Sequence, residues 1–210
     1  MNPTNTILKY ILYFFPIFII VGNAAINFAI AIVFLIYFIN CFTEKKILFF
    51  KTKEFKFFLY LYLYLVLNSL FSEDIKSSLI RTIPYLKFFI FVLLYKNFIE
   101  EKKIDLRNLG LTWFLIIMFL SIDIIYQSIF GYNILNYTSV SKVRNSGLFM
   151  DELVAGGFLL AFIFIIYSLI TKDNNQLQVI LFFIFFLIII FLTGERSNFL
   201  KFIFILIGVY

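Results

Sequence analysis

The chain has 210 residues, of which 63% are hydrophobic, 22% aromatic and only 14% charged, and its formal net charge is +6. Soluble domains are roughly 45–50% apolar and about 25% charged, so this composition predicts an integral membrane protein with no soluble domain. A single cysteine and no histidine exclude an internal disulfide and the commonest general base and metal ligand. We predict no cofactor and no metal site.

Continuous apolar runs predict helices that cross a membrane. Inside hydrocarbon every backbone N–H and C=O must be paired within the protein, which leaves helices or closed barrels. Runs such as 177–192 are longer and less alternating than barrel strands. In chain order the predicted spans are 7–22, 25–42, 57–71, 79–96, 109–130, 153–170, 177–193 and 198–210. We therefore expect an all-α, polytopic bundle with seven or eight spans.

The basic residues predict the orientation of these spans. Loops 43–56 and 96–108 are rich in positive charge, from Lys45, Lys46, Lys51, Lys53, Lys56, Lys96, Lys102, Lys103 and Arg107. Positively charged loops stay in the cytoplasm, so the N-terminus is predicted to be cytoplasmic. Segments 72–78, 131–152 and 194–197 then face outward. Charges spread over short loops act as topology signals, and no nucleic-acid partner is expected.

The last predicted span, 198–210, is short. Its 13 residues rise only about 20 Å, which is less than the ~30 Å of hydrocarbon to be crossed. We expect residues 1–210 to form a single transmembrane domain that is truncated at its C-terminus.

Polar side chains gather at or near the predicted outer face. They include Arg81, Asp123, Arg144, Asp151, Glu152, Glu195 and Arg196. An arginine at a membrane surface either reaches toward lipid phosphates or is held for a specific anion. Because guanidinium groups bind phosphate in bidentate fashion, Arg81, Arg144 and Arg196 together suggest an anion cradle.

The carboxylates at this face have structural interpretations as well. Asp151 and Glu152 are predicted to lie in the first turn of the sixth span, where they would suit its free N–H groups. Glu195 either pairs locally with Arg196 or belongs to a site beside an outward cavity. Lys87 and Asp123 fall at similar depths in neighbouring spans, so we predict a structural intramembrane ion pair.

The order and spacing of four segments resemble those of the O-antigen ligase and O-antigen polymerase-like family. The segments are 81–87 (RTIPYLK), 123–132 (DIIYQSIFGY), 144–152 (RNSGLFMDE) and 193–197 (TGERS). Members of that family are polytopic proteins of the bacterial inner membrane. They transfer a glycan on the periplasmic side from undecaprenyl pyrophosphate to an acceptor sugar, for lipopolysaccharide or surface polysaccharide. The family contains both ligases and polymerases, and the resemblance applies to both.

The resemblance implies a role for each of the polar residues. Arg144 and Arg196 would bind the donor pyrophosphate with help from Arg81, while Asp151, Glu152 and Glu195 would orient the arginines or the acceptor. The partners would be the polyprenyl-pyrophosphate-linked glycan, a lipid or sugar acceptor and membrane lipid. Family ligases also carry a later outer loop with a histidine, which this chain lacks. Residues 1–210 alone are therefore expected to be inactive.

Two other functions fit the sequence. A transporter or flippase for a polysaccharide precursor would need charged groups and broken helices near the bilayer midplane, where Pro16, Pro84, Lys87 and Asp123 are candidates. The second alternative is a non-catalytic membrane subunit of a polysaccharide assembly.

Overall fold

The computed structural model describes residues 3–44, 52–100, 104–139, 141, 143–170 and 176–209. These residues form ten α-helices: α1 (Pro3–Tyr13), α2 (Phe15–Val21), α3 (Asn23–Glu44), α4 (Lys53–Leu70), α5 (Ile75–Thr82), α6 (Tyr85–Glu100), α7 (Leu106–Phe130), α8 (Ala155–Ile170), α9 (Gln176–Leu192) and α10 (Arg196–Val209). A short 3-10 helix covers Gly147–Phe149. Within the described residues there is no strand, only a bridge between Tyr132 and Thr138. The predicted all-α fold is confirmed.

Every predicted span corresponds to helix, but two spans are divided at prolines. Span 7–22 is divided into α1 and α2, with Pro16 in the first turn of α2. Span 79–96 is divided where α5 ends and α6 begins, and Pro84 lies between them. Proline lacks a backbone N–H and its ring clashes with the carbonyl four residues earlier, so it interrupts the hydrogen bonds of the preceding helix and is tolerated at the start of the next one.

The chain forms two compact units. Unit one consists of Met1–Ile11 and Ala24–Ile104 and contains α4, α5 and α6, which pack against one another. Its side chains include a buried tyrosine, Tyr95, whose hydroxyl donates to the Leu8 carbonyl at 3.1 Å. On its surface the Lys96 ammonium lies 2.6 Å from a Glu54 carboxylate oxygen.

Unit two consists of Leu12–Asn23 and Asp105–Tyr210 and is built around α7. This helix packs against α2, α8, α9 and the 3-10 helix. The core residues recur at helical spacing, so that one face of each helix is buried. They include Ile117, Leu120 and Ile124 on α7, Leu159, Ile163 and Ile166 on α8, Phe186, Ile189 and Ile190 on α9, and Phe202 on α10.

Both ends of α7 are defined by local chemistry. The Asp105 side chain accepts hydrogen bonds from the backbone N–H groups of Arg107 and Asn108 and starts the helix. Gly131, with φ of 80°, ends it in the left-handed conformation that glycine adopts without strain. The helix is therefore 25 residues long, about 37 Å. Its last two turns lie beneath the connection to α8.

Two helical stretches, Ile75–Glu100 and Leu106–Phe130, are long and apolar enough to cross a membrane. Three shorter apolar helical stretches are Asn23–Ile39, Ala155–Ile170 and Gln176–Leu192. Several lysines that predict the orientation, Lys45, Lys46, Lys51, Lys102 and Lys103, lie outside the described residues.

Candidate functional site

Two buried polar side chains on α7 hold the α7–α8 loop, which comprises residues 131–154. Asp123 and Gln127 are 0% and 1% exposed and lie one turn apart on the same face of the helix. Asp123 Oδ1 accepts a hydrogen bond from the Ile134 N–H at 2.8 Å. Gln127 Oε1 accepts one from the Gly147 N–H, also at 2.8 Å. The helix thus fixes the loop near its beginning and again near its end.

Asn133 joins these two parts of the loop. Its side-chain oxygen accepts hydrogen bonds from the N–H groups of Leu135, at 3.0 Å, and Tyr137, at 2.9 Å. Its side-chain nitrogen donates to the Gly147 carbonyl at 2.8 Å. Asn133 is fully buried, so these bonds form where water does not compete for them.

Gly147 occupies a tight space in a backbone conformation that favours glycine. Its φ is +57°, which favours glycine. An added Cβ would lie 3.0 Å from Ile124 and 3.2 Å from both Leu120 and the Asp123 carboxylate oxygen Oδ2. The loop backbone therefore lies close against α7 at this residue.

A second set of contacts attaches the same loop to the end of α9. The Asn145 side-chain amide donates to the Leu192 carbonyl at 2.7 Å, and the Asn145 N–H donates to the Thr193 carbonyl at 3.3 Å. The last carbonyl groups of a helix have no partner within the helix. Asn145 satisfies two carbonyls at this end, and it lies next to Arg144 in the sequence.

The turn after α9 brings the segments of Arg144 and Arg196 together. Gly194 has φ of +72°, and an added Cβ would overlap the Val143 carbonyl oxygen and lie 3.2 Å from the Arg144 Cα. Arg196 follows two residues later as the first residue of α10. Both arginine side chains are exposed, and within the described part of the chain neither has a carboxylate within 4 Å. Both guanidinium groups are therefore available to an external anion.

Glu195 links the start of α10 to the start of α8. Its carboxylate accepts a hydrogen bond from the Gly156 N–H at 2.8 Å and another from the Asn198 side-chain amide. Its backbone carbonyl accepts from the N–H groups of Asn198 and Phe199, both at 3.1 Å. The local ion pair with Arg196 is not formed, because the Glu195 carboxylate is bound to these other partners.

Asp151 and Glu152 do not lie in the first turn of a helix, so that prediction is wrong. Helix α8 begins at Ala155, and both carboxylates are exposed in the turn that precedes it. The Glu152 N–H donates to the Phe149 carbonyl at 3.0 Å, which keeps this segment in a turn. Glu195 satisfies the first turn of α8 instead.

Arg81 belongs to unit one, where it is exposed in the last turn of α5. At the start of this helix the Asp74 carboxylate accepts hydrogen bonds from the Ser77 hydroxyl at 2.5 Å and the Ser77 N–H at 3.0 Å. These two bonds hold the pKa of Asp74 below its ordinary value. The contribution of Arg81 to an anion site stays a prediction.

Lys87 and Asp123 each have a partner within their own unit. The Lys87 ammonium donates to the Asn27 side-chain oxygen at 2.6 Å and lies 5.0 Å from the centre of the Phe88 ring. Asp123 is bound to the Ile134 backbone. Their ion pair stays a prediction.

Comparison with protein-family models, with curated proteins and with solved structures gave no match. The resemblance noted in the sequence is therefore a hypothesis, and functional inference depends on the residues of this chain. Among the described residues, no three cysteine, aspartate or glutamate side chains come together as a metal site would require.

Sequence reasoning singled out Arg144, Glu195 and Arg196 but missed Asn133 and Asn145. Asn133 lies in a segment that the sequence marked only as an outer loop, and Asn145 lies in the 144–152 segment, where attention fell on Arg144, Asp151 and Glu152. The residue type of the two asparagines was a usable signal, because asparagine side chains commonly bond nearby backbone in turns. Their partners on α9 and at Gly147 come from the tertiary fold.

Proposed function

We propose that this chain is part of a membrane enzyme that transfers a glycan from a polyprenyl (undecaprenyl) pyrophosphate donor to an acceptor sugar. The observation that supports this most is the contact between the loop segment of Arg144 and the turn that leads into Arg196. Two exposed cations from distant parts of the sequence lie beside one contact, without carboxylate partners among the described residues. An anion with several oxygens, such as pyrophosphate, suits that arrangement.

The enzyme is proposed to have seven or eight spans in the bacterial inner membrane, with its N-terminus in the cytoplasm. The core helix of a soluble protein is mostly buried, whereas only 17% and 44% of an apolar 18-residue window in each of the two long stretches is buried inside this protein. Large apolar side chains are also exposed on the other helices, including Phe57, Tyr60 and Tyr64 on α4 and Phe204 and Ile207 on α10. Lipid would cover these surfaces, and local thinning of the bilayer accommodates helices shorter than its core.

The proposed reaction breaks the bond between the sugar and the pyrophosphate and forms a bond from an acceptor oxygen to the same sugar carbon, while the proton of the acceptor hydroxyl passes to the surrounding water. Negative charge then grows on the leaving pyrophosphate. Arg144 and Arg196 would stabilise that charge, since guanidinium groups stay protonated and bind phosphate through two N–H groups. The donor bond supplies the driving force, so neither ATP nor a cofactor is required.

The carboxylates have supporting parts in this proposal. Glu195 is bound to Gly156 and Asn198, so it acts by fixing the turn that carries Arg196. Asp151 and Glu152 are exposed a few residues beyond Arg144, where they are free to orient the acceptor or the arginines.

The test is transfer of a glycan from an undecaprenyl-pyrophosphate donor by the full-length protein in membranes. Arg144→Ala and Arg196→Ala should each lower the rate strongly, while Arg107→Ala, an exposed arginine in the first turn of α7, should not. Normal rates in both arginine variants would refute the assignment. If binding of the protein to its assembly partners survives replacement of Arg81, Arg144 and Arg196 while no transfer is seen at all, a non-catalytic subunit is the better description.

One observation favours the transporter or flippase alternative. Helices α5 and α6 are interrupted around Pro84, and Lys87 lies in the first turn after the break, bonded to Asn27. Interrupted helices with a polar group at the break are typical of transporter binding sites. Movement of the lipid-linked precursor across the bilayer without covalent transfer, lost in Lys87→Met, would support this function.

A further inference from the structure

We propose that Gln127 and Asn133 are positioning residues that set the place of Arg144 by holding Gly147 at both of its backbone groups. This inference rests on the proposed pyrophosphate site, because it assigns a task to residues that lie behind that site. Neither side chain would touch the donor.

Gly147 is held at both of its backbone polar groups. Its N–H is bound by Gln127 from α7 and its carbonyl by Asn133 from the start of the loop, each at 2.8 Å. Both side chains are at most 1% exposed. A backbone unit whose donor and acceptor are both bound by buried side chains cannot rotate without breaking two protected hydrogen bonds.

Arg144 lies only three residues before Gly147 in the chain. Three residues of fully extended chain span at most about 11 Å, so fixing Gly147 confines Arg144 to a small volume. Asn145, between them, is bound to the carbonyls of Leu192 and Thr193. Arg144 is thus held from α7 on one side and from the end of α9 on the other.

Stability alone does not account for the buried polar side chains on this face of α7. Gln127 Nε2 and Asp123 Oδ2 are buried and have no hydrogen-bond partner among the described residues. Each such atom costs about 1–3 kcal/mol of desolvation. The hydroxyl of Ser121, also buried on α7, donates to the Ile117 carbonyl of its own helix at 2.8 Å. Among the residues that the structure describes, Asp123 and Gln127 are the side chains of this face that bond to the loop backbone, and holding the loop accounts for their presence.

Two variants separate the grip on Gly147 from general stability. Gln127→Met has a similar length but removes the amide oxygen that receives the Gly147 N–H. Asn133→Asp keeps the oxygen that receives the Leu135 and Tyr137 N–H groups, replaces the donor to the Gly147 carbonyl by an oxygen, and adds a carboxyl group at a buried position. Ser121→Ala is the matched control, because it alters a buried polar residue of α7 that does not contact the loop.

The experiment measures two quantities on full-length protein in lipid nanodiscs. Inorganic pyrophosphate affinity is measured by calorimetry. The proximity of the two segments is measured by dipolar broadening between spin labels at Val143→Cys and Ser197→Cys, both exposed positions, with the native Cys41 replaced by serine. A residue that only stabilises the fold would not change the label spacing in the folded fraction.

Gln127→Met should weaken pyrophosphate binding by about tenfold and reduce the broadening, and Asn133→Asp should do the same. Ser121→Ala should leave both unchanged. If Gln127→Met does not fold, Asn133→Asp decides alone. Unchanged affinity and unchanged broadening in a folded variant overturn the inference. If the parent protein binds no pyrophosphate while the variants still lose the broadening, the proposed function fails and the positioning role stands.

Discussion

The Glu195 carboxylate lies 2.8 Å from the backbone nitrogen of Gly156, and the same residue also serves the first turn of a second helix. It satisfies an N–H at the start of α8 and, through its backbone carbonyl, accepts the first hydrogen bonds of α10. Helix N-termini favour a negative group, since their N–H groups are unpaired and their dipoles are positive. The start of α8, the start of α10 and the turn before Arg196 therefore depend on one residue.

Replacing Glu195 should destabilise the protein. Glu195→Ala leaves the Gly156 N–H without its partner, and we expect a loss of about 1–3 kcal/mol in the free energy of unfolding. Glu195→Gln keeps an oxygen for Gly156 and should lose less. Thermal unfolding in detergent would measure both. Asp151→Ala is the control, because this exposed carboxylate has no hydrogen-bonding task of that kind, and equal losses in Glu195→Ala and Asp151→Ala would contradict the account.

Gly194→Ala should separate the Arg144 segment from the turn before α10. The added Cβ would overlap the Val143 carbonyl, so the contact cannot persist as it stands. Gly131→Ala provides the control, because Gly131 also has a positive φ but an added Cβ there meets nothing within 4 Å. Backbone strain is common to both variants, and only Gly194→Ala should also weaken pyrophosphate binding. Equal pyrophosphate affinity in the two variants would show that the contact does not matter.

Asn145→Ala should loosen the loop without unfolding the protein. It removes the donor to the Leu192 carbonyl, and that carbonyl lies at the end of α9, where the alternative partner is water. Hydrogen exchange should accelerate at residues 145–147 and at Gly194, with little change in the interior of α7. Exchange that is unchanged at these sites would show that the Asn145 contact does not hold the loop.

The cap of α5 should be sensitive to acid. Hydrogen bonds from Ser77 lower the pKa of Asp74, so the folded state favours the ionised carboxylate. The stabilisation is therefore complete above the ordinary pKa and is lost as the pH falls through the lower folded-state pKa. Hydrogen exchange of the first turn of α5, corrected for its intrinsic pH dependence, should show this loss. Asp74→Asn should remove the dependence, and a persisting one would assign it to another group.

The helices could be predicted from the sequence because continuous apolar runs leave few alternatives. The divisions at Pro16 and Pro84 could also have been predicted, since proline has no backbone N–H to continue the hydrogen bonds of a preceding helix. The start of α8 was misassigned because Asp151 and Glu152 precede it, whereas its N–H partner, Glu195, comes from 39 residues further along the chain. Local rules identify a residue that is able to cap a helix, but not which of several carboxylates does so.

In the candidate site, too, some residues could be predicted from the sequence and others could not. Arg144 and Arg196 stood out in the sequence because a charge in an apolar protein needs a reason. The contacts that bring their segments together, from Asn145 to Leu192 and from Gly194 to Val143, are made by residues that are ordinary in turns. Such pairings depend on the packing of α7, α8 and α9, so they appear only in the folded structure.

The most direct test of the central claim is a double-mutant cycle on Arg144 and Arg196, measured as the affinity of the full-length protein for inorganic pyrophosphate. If both guanidinium groups bind one anion, each alanine variant should weaken pyrophosphate binding. The loss of binding free energy in the double variant should then differ from the sum of the two single losses by a coupling energy of about 0.5–3 kcal/mol. Arg107→Ala should change nothing. Full affinity in both single variants, or strictly additive losses, would contradict a shared anion site.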